Sequence, residues 1–287
     1  MNGFYTSKHF LKKIRWRLRR AKAGLKYGWK TLDHTPRVFG NAMPKSGSHL
    51  LTQILGGLTS LGPLVNPGFP PVNRSEDNQP LSQGNIIKNI QQMKSGDIRY
   101  GYVHAEEPYL SMLTESNRAT IFLYRDPRDM LVSHVFYATE MHKGHGMHPY
   151  YTEVLSTMEE RLNAAIQGVT EPGFELASVK QRYDYFLGWL TQPDVLGIRF
   201  EDLILDRDLT LGTLLDYLGT RGFNSYIPRE EAIEILKNAI VPRKSGTFRK
   251  GVPGNWREIF TDSNKALFNH VAGDLLVQLG YEQDQSW

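Results

Sequence analysis

Cysteine is absent from this chain of 287 residues. That excludes disulfides, a thiolate metal site and a cysteine nucleophile. Long apolar runs are missing as well. No stretch approaches the ~18 consecutive apolar residues of a membrane span, and nothing near the N-terminus resembles the apolar core of a secretory signal. A cytoplasmic location is the expectation. Acidic residues are missing from positions 1–30, which hold ten Lys or Arg. Removing those ten from the 34 basic residues leaves 24 against 30 acidic ones, so the basicity of the chain lies wholly in its first segment.

Residues 1–34 therefore read as a basic amphipathic segment, and 35–287 as one α/β domain large enough to bury a full core. Within the segment, Leu11, Ile14, Leu18, Ala21 and Leu25 recur at helical spacing among Lys and Arg. Two readings stand: peripheral contact of residues 8–30 with an anionic membrane, or a first helix packing that stripe on the domain. No recognisable nucleic-acid module accompanies the charge, so nucleic acid is not an expected partner.

What is present in the domain is an alternation of strands and helices. Val38 and Phe39 open a first strand. Ile98–His104 alternates like a short strand, and 119–124 (ATIFLY) is an apolar run typical of a strand buried on both faces. Val195–Phe200 supplies a fourth. Helices are expected over 108–116, 129–139, 154–167 and 176–190, and long loops over 62–85 and 140–150. Such alternation implies a central parallel sheet flanked by helices, a P-loop-like three-layer fold.

Residues 36–52 (PRVFGNAMPKSGSHLLT) read as strand, tight loop and helix start. Unpaired N–H groups at a helix N-terminus favour an anion. Lys45 adds a charge, Ser46, Ser48 and His49 add donors, and Gly47 permits close backbone approach. The ATP loop G-x-x-x-x-G-K-[ST] is not matched, because its second glycine is missing and the spacing is one residue short. Two further segments join it. In 124–137 (YRDPRDMLVSHVFY), Arg125 falls beyond the carboxyl end of a strand, where ligands of open α/β sheets sit, and Ser133 follows eight residues on. Residues 248–261 (FRKGVPGNWREIFT) form a basic, glycine-bearing block.

These three blocks resemble, in order, the P-K-S-G-T-T-W loop, the Arg and Ser of the 3′-phosphate motif, and the R-K-G-x-x-G-x-W block of the sulfotransferases that use 3′-phosphoadenosine-5′-phosphosulfate (PAPS). Phe200-Glu201-Asp202-Leu203 matches the family's Y-E-D-L segment more weakly. The resemblance implies a sulfuryl transfer from PAPS, without a metal, to a hydroxyl or less readily an amine of a small-molecule, lipid or carbohydrate acceptor. It implies that Lys45, Ser46, Gly47, Ser48 and His49 hold the 5′ end, and that Arg125, Ser133, Arg249, Lys250 and Gly251 hold the 3′-phosphate, with Phe200 near the purine. Lys45 would stabilise the leaving phosphate, Ser133 would restrain Lys45, and His104 would be the general base, with Glu106 or Glu107 as the alternative.

Departures are visible too. Leu50 replaces the adenine-stacking Trp, Phe200 a Tyr, and Tyr102 a Lys found in many members, while the family's C-terminal dimer motif is not found around Lys265, so no oligomeric state follows. His142, His145 and His148 recur every three residues in a loop expected on the acceptor side rather than at a metal. A P-loop kinase using ATP and a non-catalytic nucleotide-binding protein at a membrane are the rival readings.

Overall fold

The computed structural model describes residues 2–244, 246 and 249–287. Helix α1 (Asn2–Tyr27) is followed by the short α2 (Trp29–His34). Then come β1 (Arg37–Ala42), α3 (Ser48–Leu58), α4 (Gln83–Gln91), β2 (Ile98–Gly101), α5 (Tyr109–Leu113), β3 (Arg118–Tyr124) and α6 (Pro127–Phe136). After α7 (Met158–Gln167), β4 (Val169–Glu171) and β5 (Phe174–Leu176) form a small hairpin. They lead to α8 (Val179–Leu187), β6 (Val195–Arg199) and the helices α9 (Phe200–Leu205), α10 (Arg207–Thr220), α11 (Arg229–Ala239) and α12 (Asp262–Gln278).

The four central strands are parallel in the order β2-β1-β3-β6. Alternate side chains leave a strand on opposite faces, and here both faces are covered. Val38, Ile121 and Leu123 point to a core shared with Leu51, Ile54, Leu211 and Leu236 of α3, α10 and α11. Phe39 and Phe122 point to another, shared with Leu131 of α6, Leu162 of α7, Tyr183 of α8 and Phe268 of α12. This is the expected three-layer arrangement. All four strands end on one edge, where the loops after Ala42, Gly101, Tyr124 and Arg199 meet.

Several boundaries differ from the sequence reading. The strand expected to reach His104 ends at Gly101, because side chains take over its ladder: Asn73 accepts from the Tyr102 N–H (3.1 Å) and Asn41 from that of Val103 (2.8 Å). Helix α4 begins inside the expected loop and presents Ile86, Ile87 and Ile90 to the core. The helix expected from 176 starts at Val179, where Ser178 and Gln181 form a capping box, and the Pro172-Gly173 turn before it belongs to the hairpin. The helix expected from 154 starts at Met158 behind a Thr157–Glu160 capping box. Helix α6 continues through a π-helical turn, Tyr137–Met141, and Tyr150–Val154 forms another.

Helix α1 does pack on the domain, but not through the anticipated stripe. Trp16 Nε1 donates to Asp97 Oδ1 (2.9 Å), Arg20 bonds Asp97 Oδ1 and the Ser95 carbonyl, Arg19 bonds the Asn66 carbonyl, and Lys12 pairs with Glu76. Ala23 is buried with Leu32 and Val65.

Candidate active site

The loop after β1 is shaped by two left-handed residues, Lys45 (φ 66°) and Gly47 (φ 93°). At Gly47 a side chain is excluded twice, by φ and because a Cβ would stand 2.6 Å from the Phe200 ring. Gly47 is the N-cap of α3, and no side chain caps that helix. Its first-turn N–H groups are thus open to a ligand. Ser46 is fully buried, and its Oγ has no partner among the described residues, a state costing about 1–3 kcal/mol unless something accepts its hydrogen. Tyr102 Oη donates to Ser48 Oγ (3.0 Å), tying β2 to the loop. His49 is exposed, and its pKa is lowered by partial burial and by Lys45.

Lys45 Nζ lies 3.6 Å from the centroid of the Tyr137 ring. Burial, and secondarily the charge of Arg125, lowers its pKa to about 8. Ser133 stands one helical turn before Tyr137 on the same face, and the group that Lys45 meets here is the ring. Tyr137 begins the π-helical turn, a local widening that re-aims side chains. His142 stacks on the same ring (5.4 Å), and His145 meets it edge-on (5.8 Å). The histidine-bearing loop therefore closes against Lys45. Among the described residues, no group of three or more His, Asp or Glu is arranged for a metal ion.

Arg125 converges on the loop from β3. Its Nη1 reaches the Lys45 carbonyl oxygen at 3.5 Å, its guanidinium lies 4.4 Å from the Phe200 ring centroid, and its buried Nε has no partner among the described residues. The turn carrying it is pinned by Tyr183 Oη, which donates to the Arg125 carbonyl (2.8 Å), and by Glu201, which accepts from the Asp126 N–H (3.1 Å). Arg249 packs its guanidinium 4.0 Å over Phe136, one turn from Ser133, and its pKa is lowered by burial and then by Arg125. Lys250 instead bonds Asn255 Oδ1 (3.0 Å) and pairs with Glu258, while Gly251 adopts φ 64°. Phe248, the first residue of this block, lies outside the described residues. Phe200 is buried between Gly47 and Arg125, so its ring supports the loop from beneath.

Behind Arg125 and Arg249 sits Asp129, buried on α6. Its Oδ2 accepts from the Gly254 N–H (2.7 Å), its Oδ1 accepts from the Trp256 N–H (2.9 Å), and Arg125 Nη2 lies at 3.7 Å. Trp256 is clamped in turn by Arg128, whose guanidinium lies 3.9 Å over the indole and is held by Asp126 and Glu282.

His104 follows β2 on the same edge. Asn41 bonds both the N–H and the carbonyl of Val103 (2.8 Å each), Trp189 Nε1 donates to that carbonyl, and the Ala105 N–H donates to the Tyr185 carbonyl (2.7 Å). Between these anchors the imidazole stacks on Tyr185 (4.7 Å, 9°) and meets Phe186 edge-on. Burial lowers its pKa, with Glu106 opposing. Glu106 and Glu107 are exposed, and Glu107 accepts from Ser111 Oγ (2.6 Å).

A sulfotransferase domain model matches residues 35–280. The chain belongs to the sulfotransferase family. A 3-alpha-hydroxysteroid sulfotransferase of Cavia porcellus is 24% identical over 79% of both chains, and a flavonol 3-sulfotransferase of Flaveria bidentis is 22% identical over 80% of this chain and 78% of its own. Among solved structures, the mouse sulfotransferase SULT7A1 complexed with PAP superposes with a TM-score of 0.61 at 16% identity, covering 89% of this chain and 93% of its own. A retinol dehydratase in complex with androsterone and PAP superposes at 0.52 and 14%, covering 89% and 85%.

In this sulfotransferase the supporting residues escaped the sequence reading. Asn41, Asp129, Tyr137, Tyr183 and Trp189 carry no motif of their own, and only the polarity of Asn41 and Asp129 within buried segments marks them. Asp129 gives the sharpest test of such a support. Asp129→Ala strands the Gly254 and Trp256 N–H groups, each costing about 1–3 kcal/mol, and frees the turn that carries Arg249. The expected result is a lower melting temperature and an affinity for PAP, measured by calorimetry, weakened about tenfold for each ~1.4 kcal/mol of lost Arg249 contact. Unchanged PAP affinity would remove Asp129 from the site.

Proposed function

We propose that this sulfotransferase moves the sulfuryl group of PAPS to the hydroxyl of a small-molecule acceptor. One observation carries the reading. Arg125 reaches the Lys45 carbonyl oxygen (3.5 Å), the pKa of Lys45 and that of Arg249 are each lowered first by burial and then by Arg125, and Asp129, the carboxylate at 3.7 Å from Arg125, already holds two backbone N–H groups. Such a concentration of charge is balanced by a multiply charged anion. The uncapped N-terminus of α3 with the unpartnered Ser46 Oγ supports binding of the 5′ end, and Arg125 with its unpartnered Nε, Arg249 and Gly251 support binding of the 3′-phosphate. Ser48, His49 and Ser133 would add donors to the anion, while Lys250, turned to Asn255, would contribute long-range charge.

The donor supplies an electrophilic sulfur whose bond to the bridging phosphate oxygen breaks as the acceptor oxygen attacks. Lys45 stabilises the charge that develops on the leaving phosphate. His104 accepts the acceptor's proton on its neutral imidazole. The steroid and flavonol in the names of the relatives favour a hydroxylated ring compound over an amine or carbohydrate, and the aromatic surroundings of His104 and Lys45 suit it.

Calorimetry with PAP against ATP tests the reading directly, together with donor consumption over a panel of phenols, sterols and flavonols. PAP is expected to bind about a hundredfold or more tighter than ATP, a difference of ~2.7 kcal/mol. A preference for ATP would favour the kinase reading, and no donor consumption with any acceptor the non-catalytic one.

A further inference from the structure

Helix α1 carries two apolar faces, and the domain uses one. Trp16, Ala23 and Tyr27 share the side turned to the body, where Trp16 meets Phe69 edge-on (5.8 Å). At about 100° per residue, Leu11, Ile14, Leu18 and Leu25 fall on the opposite side of the helix. There they are exposed, Leu18 at 65% and Leu25 at 82%, and they join no core cluster of the described residues. Phe10 (62%) extends the stripe at one end. At the other end lies Trp29 (52%), whose ring covers Gly24 so closely that a Cβ there would stand 2.6 Å from it.

The borders of this stripe are cationic. Arg15, Lys22 and Lys26 run along one side and Arg17 along the other, and no Asp or Glu occurs before residue 33. Side-by-side pairing with a second α1 would bring these rows together with no carboxylate on the helix between them. An anionic bilayer satisfies both features at once, taking the apolar residues at the headgroup boundary and the cations at lipid phosphates. The anchors Ser95 and Asp97 precede β2, at the end of the sheet opposite the catalytic edge, so a docked helix leaves that edge open.

We propose that α1 is a membrane-docking element that seats the Leu11, Ile14, Leu18 and Leu25 face, with Phe10 and Trp29 at its ends, on an anionic lipid surface. The proposal stands apart from the sulfuryl-transfer reading. The full chain should co-sediment with phosphatidylcholine vesicles containing about 30% phosphatidylserine, weakly with pure phosphatidylcholine, and less as salt is raised to about 0.5 M. Leu18→Glu combined with Leu25→Glu, both at exposed positions, should cut vesicle partitioning about tenfold or more and leave circular dichroism and PAP affinity unchanged. Arg15→Glu with Lys22→Glu should abolish the preference for phosphatidylserine. Failure of the full chain to bind the anionic vesicles would overturn the proposal, as would undiminished binding by the Leu18/Leu25 variant. Light scattering showing a dimer that the same variant dissolves, without vesicle binding, would assign the face to a second copy.

Discussion

Replacing Lys45 by Met should reduce sulfuryl transfer about 10²–10³-fold or more, the scale on which a preorganised charge at a reacting oxygen acts. Methionine keeps the packing on Tyr137 and removes only the ammonium. Nucleotide affinity should fall as well, by up to the factor that separates the charged from the neutral lysine, with Arg125 and Arg249 holding what remains. The same residue sets a pH dependence. Burial and Arg125 hold Lys45 at about 8, so without nucleotide it is charged below that pH and neutral above it. An anion binds the charged form, so PAP affinity should be level below pH 8 and fall as pH rises past it, by up to about tenfold per unit. Binding above pH 8 should take up a proton, visible as calorimetric heats that vary with buffer. Lys45→Met should bind PAP without that slope. A wild-type affinity flat to pH 10 would mean that Lys45 does not face the nucleotide.

Tyr137 explains why this lysine can rest so low and still be held. A buried ammonium needs a partner, and a carboxylate would neutralise the field meant for phosphate. An aromatic face stabilises the cation without cancelling its charge. The resemblance points to Ser133, one turn earlier, and not to Tyr137, because a resemblance transfers a residue type at a spacing. It carries no knowledge of the π-helical turn that brings the next residue on that face over Lys45.

The strand at 119–124 could be read because its side chains are apolar on both faces, and the three blocks that carry the family resemblance because each concentrates charge or left-handed backbone in a few consecutive residues. The end of β2 could not. Residues 102–104 alternate as a strand does, and only the side chains of Asn41 and Asn73, distant in sequence, show that the ladder has been replaced. Hairpin β4–β5 was too short to show a period. In α1 the Leu stripe faces away from the body, and Trp16, Arg20 and Ala23 provide the packing face, since an arginine salt-linked to the buried Asp97 can cover a face that looks polar in sequence.

His104→Ala should lower kcat by about 10²–10⁴-fold, the usual contribution of a positioned general base, while PAP affinity stays within about twofold of wild type. The separation is expected because His104 belongs to the loop after β2 and not to the α3 N-terminus or the arginines, is held through Val103 by Asn41 and Trp189 and through Ala105 by the Tyr185 carbonyl, and no described side chain hydrogen-bonds its ring. Burial lowers its pKa below the ordinary imidazole value more than Glu106 raises it. The ring is therefore neutral at pH 7 and able to accept a proton. It follows that the acid limb of the wild-type rate profile should lie below the usual histidine range, and that the variant should lack it. Glu106→Gln tests the rival base. If that substitution, and not His104→Ala, removes both the rate and the acid limb, the imidazole is a stacking element against Tyr185 and the carboxylate takes the proton.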